Sequence, residues 1–205
     1  LAGYNPDTWK DADAESVVAM ARWFRETDGF DENFHRYFAN ALYQLEKYAE
    51  AVPAYERLLK DSPQDADVLQ TLGSAYMYLE QYDQALVALE QLQTINYRDM
   101  NCYKNMVICH AQLQQGPETV KILGKAAHLF GQNTVVSWIS DPQLDPVRQD
   151  PAFQSYAEGV GGKEYRLYLE KVAQAIEGEG DKGVEPHLKL PKQEAAAEQV
   201  SPPQQ

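Results

Sequence analysis

The chain has 205 residues and a formal net charge of −13, from 31 acidic against 18 basic side chains. That deficit is spread along the whole length and would repel a phosphate backbone or an anionic membrane surface almost everywhere, which argues against nucleic acid as a partner. With 44% hydrophobic and 11% aromatic residues the sequence can bury a sizeable core, so wholesale disorder is excluded. No window approaches the ~20 consecutive apolar residues of a bilayer span.

The first 31 residues hold seven acids and three bases. They open at Leu1 with no methionine and no basic or apolar leader. From that opening alone an extracytoplasmic location (periplasm, cell surface or extracellular space) is expected, with the cytoplasm as the alternative. Leu1-Ala2-Gly3 is followed by Tyr4, not by a cysteine that could carry lipid. Further on, Val17, Ala21 and Phe24 fall at helical spacing, which predicts a helix over about 14–27.

The middle of the chain superimposes on itself at an offset of 34 residues. Tyr48 maps to Tyr82, Ala51 to Ala85 and Leu58 to Leu92. The same step carries Phe38 to Leu72 to Met106, Leu42 to Tyr76 to His110, and Tyr55 to Leu89 to Leu123. Ala39, Gly73 and Val107 form a column of smaller residues. Such a period is the signature of stacked helical hairpins, since no single unit can bury its apolar face alone. Within a unit the apolar residues recur at helical spacing, as in Val68, Leu69, Leu72, Tyr76 and Leu79. Cys102 and Cys109, seven apart on one helix, would lie about 10 Å apart. That is beyond disulfide reach, and they read as two small buried hydrophobes.

These residues resemble the tetratricopeptide repeats, in a form known from bacterial arrays. Repeat one (32–65) carries Phe38-Ala39, Leu42, Tyr48, Ala51, Tyr55, Leu58 and Pro63. Repeat two (66–99) carries Leu69, Leu72-Gly73, Tyr76, Tyr82, Ala85, Leu89 and Leu92. Repeat three (100–133) keeps Tyr103, Met106, Leu123 and Ala126, with His110 and Thr119 where the family prefers an aromatic residue and alanine. The resemblance implies an all-α, right-handed α-solenoid of about three helix hairpins, with a groove lined by the first helix of each pair. Residues 1–31 would then be an N-terminal segment with a half-repeat helix, 32–133 the three units, 134–176 capping helices, and 177–205 an extended or disordered tail.

A fourth unit starts at Thr134-Val135-Val136-Ser137-Trp138-Ile139, but Asp141-Pro142 ends it, because proline lacks the amide proton and clashes with the preceding turn. Asp145-Pro146 and Asp150-Pro151 follow, each pairing a helix-capping aspartate with a first-position proline. Short helices are therefore expected at about 142–148 and 150–158. Gly159, Gly161 and Gly162 then predict a break before a last amphipathic helix over 163–176. Beyond it the composition turns to glycine, glutamate, proline, alanine and glutamine, which is low-complexity character. Within this tail the stretch 184–191 alternates enough to lie extended along a surface, for which a neighbouring molecule is a candidate.

No catalytic constellation is present: there is no Gly-rich phosphate loop, GxSxG, HExxH or paired CxxC. His35, His110, His128 and His187 fall on different repeats or in the tail, whereas zinc needs three or four ligands converging at ~2.0–2.3 Å. No enzyme activity, metal or cofactor is expected. In the register above, the groove-facing candidates are Asn33, Arg36, Tyr37, Asn40 and Tyr43 from repeat one, Gln70, Ser74 and Tyr78 from repeat two, and Lys104 and Asn105 from repeat three, with Gln44, Asp67, Thr71, Met77, Asn101, Ile108, Ala111 and Gln112 on the same face. The resemblance also offers a carboxylate clamp, matched by Arg36 and Asn40 but not by Thr71, Asn101 and Asn105, so it is incomplete. Amides donate and accept together, which suits an extended peptide backbone, and tyrosines are frequent interface anchors. The expected function is a non-enzymatic scaffold that binds a protein or peptide partner in the groove. The alternative is an exported subunit that self-assembles head to tail into a homo-oligomeric filament, with the tail and the end repeats in contact between copies.

Overall fold

The computed structural model describes residues 14–16, 18 and 32–179. Residues 14–16 and 18 are helical, and Val18 is buried. Val17, Ala21, Phe24 and residues 180–205 of the expected tail lie outside the described residues, whereas 177–179, also assigned to the tail, are helical.

Six helices form three consecutive hairpins. They are α1 (Glu32–Gln44), α2 (Tyr48–Asp61), α3 (Ala66–Tyr78), α4 (Tyr82–Ile95), α5 (Met100–Gln112) and α6 (Gly116–Phe130). The leading helices begin at residues 32, 66 and 100, and the trailing ones at 48, 82 and 116, so the 34-residue period of the sequence is a period of backbone structure. Each helix packs on the next, and α3 also touches α5, which places the leading helices side by side as one wall of an α-solenoid. Among the described residues no strand is present, and no helix is long and apolar enough to cross a membrane.

The repeating columns are the core. Ala51 and Ala85, Leu58 and Leu92, and Tyr55, Leu89 and Leu123 are all buried. Leu72 and Met106 are buried as well, while Phe38 in the same column is half-buried at the start of the array. The small column works by close approach. A Cβ at Gly73 would stand 3.1 Å from Cγ and Cδ2 of Leu89, so glycine lets α3 and α4 meet at that crossing. At repeat three the buried Thr119 takes the alanine position and satisfies its hydroxyl within its own helix, by donation to the Gln115 carbonyl at 2.8 Å.

The ends of the helices repeat too. Asp65 accepts from the Val68 amide at 3.1 Å and Asp99 from the Cys102 amide at 2.9 Å, equivalent caps on α3 and α5. Each leading helix ends in the same way. Lys47 N–H donates to the Leu42 carbonyl and Glu46 N–H to that of Tyr43; the pairs recur as Gln81 to Tyr76 with Glu80 to Met77, and Gln115 to His110 with Gln114 to Ala111. This is the Schellman arrangement, whose turning residue is left-handed. Here that residue is Glu46, Glu80 or Gln114, each with φ of 57°. A side chain in this conformation costs about 1–2 kcal/mol. Glu80→Gly is therefore expected to stabilise the protein by about 0.5–1 kcal/mol after the extra chain entropy of glycine is subtracted. The check is a rise in the thermal midpoint; a fall would sink it.

After α6 the chain leaves the period. The helix α7 (Gln132–Ile139) is followed by a 3₁₀ turn (Pro142–Val147) whose first amides are capped by Asp141, with the Gln143 N–H donating to Oδ1 at 3.0 Å. The first of the two expected short helices is a 3₁₀ turn; the second and the last amphipathic helix lie on either side of the expected glycine break, as the two arms of α8 (Pro151–Glu179). The three glycines differ in role. Gly159 is helical, and a Cβ there would meet nothing. Gly161 is also helical, and a Cβ there would strike Ile139 and Tyr165, so its glycine serves packing against α7. Only Gly162 leaves helical geometry (φ 50°, ψ −124°), and it is the break that separates the two helical arms of α8.

Candidate functional site

The leading-helix wall carries a recess of about 310 Å³. Its lining comes from Tyr43 of α1; Ser74, Met77 and Tyr78 of α3; Tyr82 of α4; Lys104, Asn105, Ile108 and Gln112 of α5; and Gln143 of the 3₁₀ turn. Spacing explains most of this set. Ser74, Met77 and Tyr78, like Lys104, Asn105, Ile108 and Gln112, are three or four apart and share one helix face.

An aromatic cluster forms one side. The Tyr78 and Tyr48 rings stack 4.4 Å apart and 7° from parallel, and Tyr43 meets both edge-on at 6.1 and 5.2 Å. Tyr78 is nonetheless 62% exposed, so a large flat ring is held rigid while still presented to solvent. Burial pushes the Tyr43 phenol above its ordinary pKa, and the neighbouring Tyr78 adds to the shift. The Tyr43 phenol therefore stays neutral, and can donate, throughout the physiological range.

The opposite side is polar and partly engaged. Lys104 Nζ lies 3.2 Å from Asp141 Oδ2, and Gln112 Nε2 donates to the Gln143 carbonyl at 2.7 Å. The 3₁₀ turn thus closes one end of the wall. Its peptide backbone is held there by an amide side chain of α5. Ser74 Oγ donates to the Gln70 carbonyl at 3.0 Å.

Of the ten groove candidates, Tyr43, Ser74, Tyr78, Lys104 and Asn105 line this recess. The others are placed elsewhere or have structural partners. Arg36 donates to Asp65 Oδ2 at 2.6 Å, bridging α1 to the cap of α3. Burial alone would raise the Asp65 carboxyl, but the Arg36 hydrogen bond and charge together with the Val68 amide hold it below the usual carboxylate range. Asn40 Oδ1 accepts from the Tyr55 hydroxyl at 2.8 Å, pinning α1 to α2. Tyr37 is half-buried against the core, and Gln70 offers its carbonyl to Ser74. The side chain of Asn33 lies outside the described residues. Two lining residues, Tyr82 and Gln143, were not among the sequence candidates. Tyr82 sits on a trailing helix, and Gln143 comes from beyond the repeats, so no 34-residue offset points to it.

Burial pushes both cysteine thiols up to about 12. Cys102 Sγ lies 3.2 Å from the Leu89 carbonyl, so both act as core groups. His110 places Nδ1 2.7 Å from Gln115 Oε1. Among the described residues no group of three His, Cys, Asp or Glu side chains could hold a metal ion.

Comparison with known proteins agrees with this architecture. Residues 42–106 match the family model described as Tetratricopeptide repeat. No curated protein sequence matches the chain. Among solved structures, MamA from Desulfovibrio magneticus RS-1 (residue 41 to the end) is 17% identical with a TM-score of 0.61, covering 85% of this chain and 98% of that one. A further MamA crystal structure gives 12% identity and a TM-score of 0.62 over 85% and 99%. YrrB, described as a TPR protein with an unusual peptide-binding site, gives 17% and 0.57 over 77% and 84%. Residues 42–106 thus carry the tetratricopeptide-repeat match, and the helices before and after share the fold of these solved structures.

Proposed function

We propose that the chain is a non-enzymatic protein-interaction module that binds an extended segment of a partner protein in the recess between α1, α3 and α5. The observation that carries this reading is the Tyr78 ring, solvent-exposed yet stacked on Tyr48, at the edge of a recess lined by amides, a hydroxyl and the aliphatic side chains of Met77 and Ile108. Presenting a rigid ring wastes little ordering entropy on binding. The amides of Asn105 and Gln112 can serve both the N–H and C=O of an extended backbone. Gln112 already holds one such carbonyl, that of Gln143. The peptide-binding site in the description of YrrB, a protein of like fold, supports the same use of the fold.

The test is selection from a random twelve-residue peptide library, followed by calorimetric titration of the tightest binder. Tyr78→Ala combined with Asn105→Ala is expected to weaken that binding at least tenfold, about 1.4 kcal/mol or more. Stability should fall by no more than about 1 kcal/mol, the worth of the lost Tyr78–Tyr48 stack, because neither side chain is buried. Binders that ignore both substitutions, or an equal loss of stability and affinity, would overturn the reading.

A further inference from the structure

We infer that the occupant of this recess is the chain's own proline-bearing segment, residues 182–193, docked within the same molecule. This rests on the binding reading above: the segment fills the recess within the molecule, and a partner segment binds by displacing it.

Four observations carry it. The leading-helix wall already holds an acid–proline stretch of this chain. Lys104 meets Asp141, Pro142 follows, and Gln112 takes the next carbonyl, that of Gln143. The segment offers the same chemistry again in Glu185-Pro186, followed by Leu188, Leu190 and Pro191. Prolines exclude helix and strand ladders, and they favour the extended, unpaired backbone that docks into aromatic-lined grooves. Tyr43, Tyr78 and Tyr82 provide such a wall, and Met77 with Ile108 provides apolar surface for the leucines.

Net charge favours association with the array as a whole; within the recess the charged lining residue is Lys104, which suits Glu185. Residues 182–193 carry three lysines and one glutamate, whereas residues 32–179 carry 20 acids against 12 bases. This is a basic patch in an otherwise acidic chain.

The reach is sufficient. Arg148 donates both to the Asp141 carbonyl at 2.8 Å, beside the recess, and to the Tyr168 hydroxyl at 3.0 Å, which ties α8 to that edge. From Tyr168 the helix runs eleven residues to Glu179, about 17 Å at 1.5 Å per residue. The nine residues from there to Leu188 span about 28 Å in extended form. At such tether lengths the effective concentration is of millimolar order.

The experiment uses the full chain with a nitroxide attached to the Leu190→Cys variant; the two native thiols are buried. Amide signals of Ser74, Tyr78, Asn105 and Ile108 are expected to lose at least half their intensity in dilute solution, while those of exposed Lys121 on α6 persist. Adding Pro186→Ala and Pro191→Ala should restore at least half of the lost intensity. Uniform or absent broadening overturns the proposal. Broadening of an isotope-labelled, untagged chain by a tagged second chain also overturns it, and assigns the site to the tail of another copy. If recess broadening is absent while a library-selected peptide still shifts the same four amides, only the occupant is wrong. If neither is seen, the binding reading falls as well.

Discussion

Arg148→Met is expected to lower the folding free energy by about 3–5 kcal/mol, the range for removing one partner from a buried charged network. The side chain is 2% exposed, and its guanidinium is satisfied on every side. It pairs with Asp145, donates to the Ile139 carbonyl at 2.9 Å and the Asp141 carbonyl at 2.8 Å, and reaches the Tyr168 hydroxyl at 3.0 Å. Its carbon also stands 4.5 Å from the Tyr168 ring centroid. The Ile139 carbonyl belongs to the last turn of α7, where helical geometry supplies no donor. Methionine would fill much of the volume but strand two carbonyls in a dry site, each at about 1–3 kcal/mol. Arg148→Lys should recover little, because one ammonium cannot reproduce a planar fork that serves four acceptors. Urea denaturation with matched slopes is the measurement, and a loss under 1 kcal/mol would refute the role. Because Arg148 also fixes Asp141 at the rim of the recess, affinity for a selected peptide should fall with it in the Lys variant.

How far the sequence revealed this protein depends on how local each signal is. The columns at Leu72, Ala85 and Leu89 were legible because burial repeats at a fixed offset, and the helices begin where that offset places them. The left-handed residues at 46, 80 and 114 were not legible. The marker for such a turn is glycine, and here glutamate or glutamine adopts it because the surrounding helices and the two paired hydrogen bonds dictate the backbone. Nothing in the sequence singles out Arg148, since its partners lie three to twenty residues away and on three different elements. At the recess, helix-face spacing found Ser74, Tyr78, Lys104 and Asn105, residues that share a wall by periodicity alone. It also selected Arg36 and Asn40, whose partners Asp65 and Tyr55 come from neighbouring helices that no single-helix pattern exposes.

Leu89→Ala is the second large effect, with an expected loss of about 2–5 kcal/mol. Leu89 is fully buried at the centre of the array, its side chain packs on the bare backbone of Gly73, and its carbonyl accepts the Cys102 thiol. The contacts therefore run to the helix before it and the helix after it. A void at this position is hard to close, because Gly73 has no side chain to relax into it. In a compact core the whole domain would lose stability together. In a solenoid each helix touches chiefly its sequence neighbours, so stability is a sum of unit and interface contributions, and weakening the middle interfaces uncouples the two ends. Hydrogen exchange should then show protection falling first in α3, α4 and α5, with α6 and the α7–α8 cap retaining theirs at denaturant concentrations where the centre has opened. Equilibrium unfolding followed by Trp138 fluorescence, with Trp9→Phe and Trp23→Phe removing the other two tryptophans, should separate from that followed by helical circular dichroism, because Trp138 then reports on α7 alone. Coincident transitions by both probes, with protection lost evenly from α1 to α8, would mean that coupling along the array is stronger than nearest-neighbour packing supplies.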